Sequence, residues 1–264
     1  MKFKIKELYK IYMADIIRST DCLILHPQRD VEDIMIYTGI VRYTYEAFKG
    51  KVTLFVLPEF HNLLKNHYAD LENLRIERIS DLSDSTFLKL FIGKYKQSRH
   101  RYFFGLCDKF RIDNYKKKST SDDFDPYILY DFDPEIKYKY FRINMNEERR
   151  SKLMFQIKTV ANMNYNMTSK AENVPVEYKK NAMVSLNVDT MFNNSNFFDA
   201  TELLKHSKAL YLTNSDKDYF TLLIYMMFRA GVYDEVLPKK NVYLFNMDKE
   251  PLKYDNLPDY WKIV

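Results

Sequence analysis

Residues 22–57 read CLILHPQRDVEDIMIYTGIVRYTYEAFKGKVTLFVL, and a change of period inside this stretch decides the fold class. The run from Cys22 to His26 is apolar without alternation, too short for a helix, and closed by Pro27, as in a strand buried on both faces. From Val31 to about Phe48 the spacing turns helical, with Ile34, Thr38, Val41, Tyr45 and Phe48 on one face. After Gly50, Val52 to Leu57 is a second short β-rich run, stopped by Pro58. Working outward, the pattern predicts a helix near Phe60–Tyr68, a strand at Leu74–Ile79, a helix at Ser83–Gly93 and a strand at Tyr102–Leu106. A βαβαβ rhythm of this kind calls for a parallel sheet with crossover helices rather than a sandwich or a bundle.

Composition bounds what such a sheet can serve. The 264 residues carry 41 Lys+Arg against 36 Asp+Glu, a net charge of +5, and 46% hydrophobic residues with 22 Tyr and 19 Phe, so a sizeable core is available. With only 5 glycines in the chain, the Gly-rich phosphate loops of dinucleotide and P-loop folds are excluded. Cys22 and Cys107 cannot build a four-thiolate zinc site or a disulfide framework, and they read as reduced core residues. No run approaches the ~20 apolar residues of a membrane span, which makes a soluble, cytoplasmic protein the expectation.

Beyond Arg111 the chain turns polar to Asp125, in the composition of a surface loop. A second α/β unit begins after Glu147, dividing the chain into 1–147 and 148–264. It is predicted to hold an amphipathic helix near Glu148–Lys158 and strands at Ala182–Val188, Ala209–Thr213 and Val242–Asn246. Helices start at Asp199-Ala-Thr-Glu202 and at Ser215-Asp-Lys-Asp218, both in capping-box form, and the second stops at Gly231.

In open α/β sheets, ligands sit beyond the carboxyl ends of the strands, where helix N-termini offer unpaired N–H groups. Two such places stand out. His26-Pro-Gln-Arg-Asp30 joins the first strand to the first helix and gathers an imidazole, a guanidinium and a carboxylate; Asp30 is the candidate general base and His26 its companion, or Asp30 simply caps the helix. Thr213-Asn214-Ser215 lies where a strand runs into a helix, and its polar groups can cradle a phosphate without glycine or, for Ser215, serve as a cap. Asp131-Phe-Asp133 has the Asp-x-Asp form of some metal-holding sites, but two other segments share it. No HExxH or GxSxG motif occurs. The basic clusters Lys94–Arg101 and Lys116–Lys118 lie among acidic segments and read as solvated faces, with a nucleic-acid accessory role as the lesser alternative.

Taken in order, several stretches resemble the small GT-B-type glycosyltransferase-like proteins of large DNA viruses and bacteria. They are His26-x-x-x-Asp30 leading to Arg42, then Tyr127 to Phe141, then Phe198 to Phe228 centred on Tyr211-Leu-Thr-Asn-Ser215, and the terminal Trp261-Lys-Ile-Val264. The resemblance implies two Rossmann-like lobes facing across a cleft, a nucleotide-sugar donor held by the second lobe, and a glycan or small hydroxyl acceptor on the first. It also implies a role for Asp30 as base or acceptor ligand, for Arg42 as a charge partner, and for Asn214 and Ser215 as diphosphate contacts beside Thr213. No metal or other cofactor is obligatory in that scheme. A relative that binds the nucleotide sugar without transferring it is the alternative.

Overall fold

The computed structural model describes residues 19–25, 31–78, 102–105, 126–144, 147–161, 165–170, 174–179, 184–192, 197–204, 206–214, 218–232, 240–246, 254 and 256–264. The chain is α/β and divides into two compact units, Met1–Tyr140 and Phe141–Val264. Each has a sheet of its own.

The first sheet holds β1 (Cys22–Leu25), β2 (Val52–Val56), β3 (Arg75–Arg78) and β4 (Tyr102–Gly105), in the order β3-β2-β1-β4 and parallel throughout. The continuous apolar runs are explained by burial on both faces: all five residues of β2, and Cys22, Leu23 and Ile24 of β1, are buried. Between β1 and β2 runs α1 (Val31–Ala47), as its period predicts, with Ile34, Met35, Ile40 and Val41 buried. After β2 comes α2 (Pro58–His67), whose proline occupies the start of the helix, where a missing N–H costs nothing. The predicted helix at Ser83–Gly93 and both basic clusters lie outside the described residues.

The tyrosine-rich stretch that carried part of the family resemblance has a packing role. Here α3 (Pro126–Leu129) and α4 (Ile136–Lys139) fold back onto α1. Tyr37, Ile40, Tyr127, Tyr130 and Ile136 form one buried cluster, and Tyr43 meets Phe132 and Tyr140 edge to face at 5.7 and 5.4 Å between ring centroids. The Tyr127 hydroxyl donates to the Ile36 carbonyl at 2.7 Å. Such close approach needs Gly39: a Cβ there would lie 2.7 Å from the Ile136 carbonyl oxygen and 2.9 Å from the Lys137 Cα.

The second unit has five strands, β5 (Tyr165–Thr168), β6 (Val184–Asn187), β7 (Ala209–Thr213), β8 (Asn241–Phe245) and β9 (Trp261–Ile263), all parallel, in the order β6-β5-β7-β8-β9. Three of these match the predicted strands closely. The other two, β5 and β9, were not expected from pattern: Tyr-Asn-Met-Thr is only four residues long and buries its two polar residues along with its two apolar ones, and Trp-Lys-Ile is only three residues long. The helices are α5 (Glu147–Ala161), α6 (Val176–Lys179), α7 (Val188–Met191), α8 (Ala200–Leu204) and α9 (Tyr219–Arg229). α9 packs against β7, and its Phe220, Leu223, Ile224 and Met227 are buried. It closes as predicted at Gly231, which has φ +67; Gly231 N donates to Phe228 and Val232 N to Met227. Its start differs from the expectation. Helical residues begin at Tyr219, and Asp218 rather than Ser215 is the N-cap.

Two ion pairs tie α5 to α8 and the turn before it: Arg149 to Asp199 at 3.0 Å and Arg150 to the buried Glu202 at 2.9 Å. The aromatic cluster of Tyr211, Phe245, Tyr178 and Tyr243 lies elsewhere in the unit, with the Tyr211 hydroxyl donating to the Tyr178 carbonyl at 2.6 Å. Alternation along β7 puts Tyr211 on the opposite sheet face from Leu210 and Leu212.

Candidate functional site

Within the second unit the strand order is that of a flavodoxin-like sheet, second strand first, so the chain reverses direction between β5 and β7. In open sheets of this order the crossovers on either side of the reversal leave by opposite faces, and ligands are taken beyond the carboxyl ends of the two strands. A polar residue follows each of three adjacent strands there: Ser169 after β5, Asn214 after β7 and Asn246 after β8. The ladder continues one step past the strands. Ser169 N donates to the Tyr211 carbonyl at 3.2 Å and Asn214 N to the Phe245 carbonyl at 2.9 Å, which fixes both residues on the sheet's rim.

Asp218 organises one side of this rim. It is 3% exposed. Its Oδ1 accepts from the Thr221 backbone N–H at 2.9 Å, and its Oδ2 accepts from Ser169 Oγ at 2.6 Å, from the Thr213 N–H at 3.2 Å and from Thr213 Oγ1. Asn214 belongs to the other side, its Nδ2 donating to Asn246 Oδ1 at 3.1 Å. The structure thus brings Thr213 and Asn214 to one rim, as predicted from sequence, while Ser215 lies outside the described residues. Sequence reasoning missed Ser169 and Asn246 and saw Asp218 only as part of a capping pattern. A usable signal was present for Asn246, the polar residue that directly follows the apolar run of β8.

In the first unit the strand order reverses at β1, between β2 and β4. The segment that leaves β1 contains His26 and Asp30, both outside the described residues, so the structure resumes at Val31. Arg42 is described, and both of its terminal nitrogens are engaged within the fold, while its Nε is buried without a hydrogen-bond partner among the described residues. Its guanidinium grips the Asp70 carboxylate through two hydrogen bonds, Nη1 at 2.6 Å and Nη2 at 3.0 Å, and Nη2 also donates to the His67 carbonyl at 3.2 Å. The same group lies 5.6 Å from the Tyr68 ring centroid. At ~1.5 Å per residue it sits about 16 Å along α1 from Val31. Its partners are the last residue of α2, His67, and Asp70 in the connection that enters β3, on the amino side of the sheet.

This pair gives a pH prediction. Burial opposes the Asp70 charge, but the hydrogen bond and the Coulombic pull of Arg42 outweigh it and hold the carboxyl below its ordinary value. A carboxyl depressed in the folded state contributes stability that is complete above its unfolded value of about 3.9 and is lost as pH falls through the folded one. Asp70→Asn should therefore cost about 1 kcal/mol at neutral pH, a modest figure because the Asp70 side chain is 43% exposed, and the difference from the wild type should shrink below about pH 4. Urea midpoints measured from pH 7 to pH 3 check this; a constant difference would refute it.

No group of three or more His, Cys, Asp or Glu able to hold a metal ion occurs among the described residues. Among them, too, no helix is long and apolar enough to cross a membrane. Fold and rim together define the class: an α/β protein of two parallel-sheet units, with a polar carboxyl edge at the strand-order reversal of the second. Comparison with protein families, with curated proteins and with solved structures gives no match.

Proposed function

We propose that the protein transfers a sugar from a nucleotide-sugar donor to a glycan or small hydroxyl acceptor, without an obligatory metal, in the two-lobed manner of GT-B-type transferases. The observation that carries this is the second sheet, whose order β6-β5-β7-β8-β9 has Ser169 and Asn214 at the ends of the two strands that flank the reversal, with Asn246 beside Asn214 on the next strand; such folds take a nucleotide at the reversal. The first sheet, ordered β3-β2-β1-β4, supports a second ligand-bearing unit in the same chain. In this scheme the donor belongs to the second unit and the acceptor to the first, with Asp30 as general base and His26 beside it. Arg42 is left out of the chemistry because Asp70 and His67 already use its guanidinium.

A panel of nucleotide sugars and free nucleotides tests the donor. One present at 100 times its dissociation constant stabilises the protein by about 2.7 kcal/mol, an easily measured thermal shift. With that donor and an acceptor in hand, Asp30→Asn should keep the shift while transfer falls by about 10²- to 10⁴-fold. Absence of any shift across the panel would refute the proposal. A second reading, binding without transfer, draws support from Asp218. Transfer needs donors aimed at the departing diphosphate, and the two N–H groups that reach Asp218 at the start of α9 and the end of β7 are already used. A thermal shift with no turnover would favour that reading.

A further inference from the structure

An open α/β unit of this strand order commonly meets an anion at the N-terminus of the helix that follows the strand beside the reversal. Here that helix is α9, eleven residues long, following β7. The place is filled from within. Four donors converge on the Asp218 carboxylate from three directions: Ser169 Oγ from the end of β5, the Thr213 N–H and hydroxyl from the end of β7, and the Thr221 N–H from the first turn of α9. Two N–H groups and two hydroxyls are the donor set a phosphate group would recruit, and Asp218 is buried among them. The carboxylate also supplies the negative charge that the helix dipole favours at this end.

We propose that Asp218 is a specificity-determining residue that stands where a phosphate would stand and bars anionic groups from α9. An incoming phosphate would find the donors taken and a like charge in place. A nucleotide-sugar donor at this rim is then met through its uncharged hydroxyl and amide groups, with its diphosphate held away from α9, and the Asn214–Asn246 amide pair, 3.1 Å apart, is a neutral donor and acceptor set on the same rim. The assignment goes beyond sugar transfer and holds whether or not transfer is observed, because it concerns which chemical group α9 admits.

The test uses the full chain with inorganic phosphate and pyrophosphate as probes, against sodium chloride of matched ionic strength. Wild type should show the same thermal stability in all three, and the amide resonances of Thr213 and Thr221 should not move. Asp218→Gly vacates the place, and Asp218→Ser vacates it while keeping a capping oxygen. Either variant should bind phosphate or pyrophosphate at least 10-fold more tightly than wild type, with shifts at both amides. If the variants fold only poorly, their refolding yield should rise in phosphate over matched chloride. Phosphate-dependent shifts of the Thr221 amide in wild type would overturn the proposal, and so would variants that respond to phosphate no more than wild type does. Neither outcome touches the nucleotide-sugar panel, so failure here and failure of the transfer proposal are told apart.

Discussion

Replacing Gly39 by valine is expected to undock α3 and α4 from α1 and to destabilise the first unit by about 3 kcal/mol or more, with Gly39→Ala costing about 1–2 kcal/mol. Two effects compete. An alanine inside a helix is favoured over glycine by roughly 0.5–1 kcal/mol, because the unfolded glycine has more freedom to lose. Against this, the added Cβ would stand 2.7 Å from the Ile136 carbonyl oxygen and 2.9 Å from the Lys137 Cα, with the Tyr127 hydroxyl closer still. Two of those neighbours are backbone atoms of α4 and cannot rotate away. The helix must therefore retreat, which stretches the hydrogen bond from Tyr127 to Ile36 and opens the cluster of Tyr37, Ile40, Tyr130 and Ile136. Packing decides the sign. Denaturant midpoints and hydrogen exchange at the α1 amides would measure it, and an alanine variant as stable as wild type would show that α4 does not sit this closely on α1.

The second large effect is expected at Asp218, where alanine should cost about 3–5 kcal/mol. Losing an N-cap carboxylate alone costs about 0.5–2 kcal/mol. Here the loss also takes away the acceptor of the Ser169 and Thr213 hydroxyls and one of the two acceptors of the Thr213 N–H, whose other is Thr221 Oγ1 at 3.2 Å, and each buried donor left without an acceptor costs about 1–3 kcal/mol unless water reaches it. Water entering the vacated space should recover part of that, which keeps the expectation below the simple total. Asp218→Asn should rescue little: one oxygen can still cap Thr221, but the amide nitrogen would turn donors toward donors. The sole tryptophan, Trp261, belongs to β9 of the same unit, so its fluorescence reports the transition directly. A loss under about 1 kcal/mol would mean that the four bonds to Asp218 contribute little to stability.

Both effects bear on how much of the molecule could be read in advance. The switch from an apolar run to helical spacing between Cys22 and Val56 was legible because a strand buried on both faces has no polar residue to confuse it. β7, β8 and the Schellman stop at Gly231 were legible for similar local reasons. β5 was not, since its Asn166 and Thr168 are polar yet fully buried, a choice that no period in the sequence announces. At the rim, Thr213 and Asn214 were found by their position at a strand end. The cap was misplaced by three residues because Ser215 and Asp218 both fit a capping pattern, and only the hydroxyls of Ser169 and Thr213, brought in from two strands, make Asp218 the better-satisfied cap.

The chain's own order of residues determined an α/β protein with parallel strands, the span of α1 and the closing of α9, because periodicity and helix stops act over a few neighbours. Only the tertiary structure decided the strand orders, the docking of a tyrosine-rich segment over Gly39, the use of Arg42 as a clamp on Asp70, and the gathering of four donors around Asp218. Those contacts join residues far apart in the chain, 91 positions in the case of Ile36 and Tyr127. They depend on which surfaces the fold brings together, and local spacing carries no record of that.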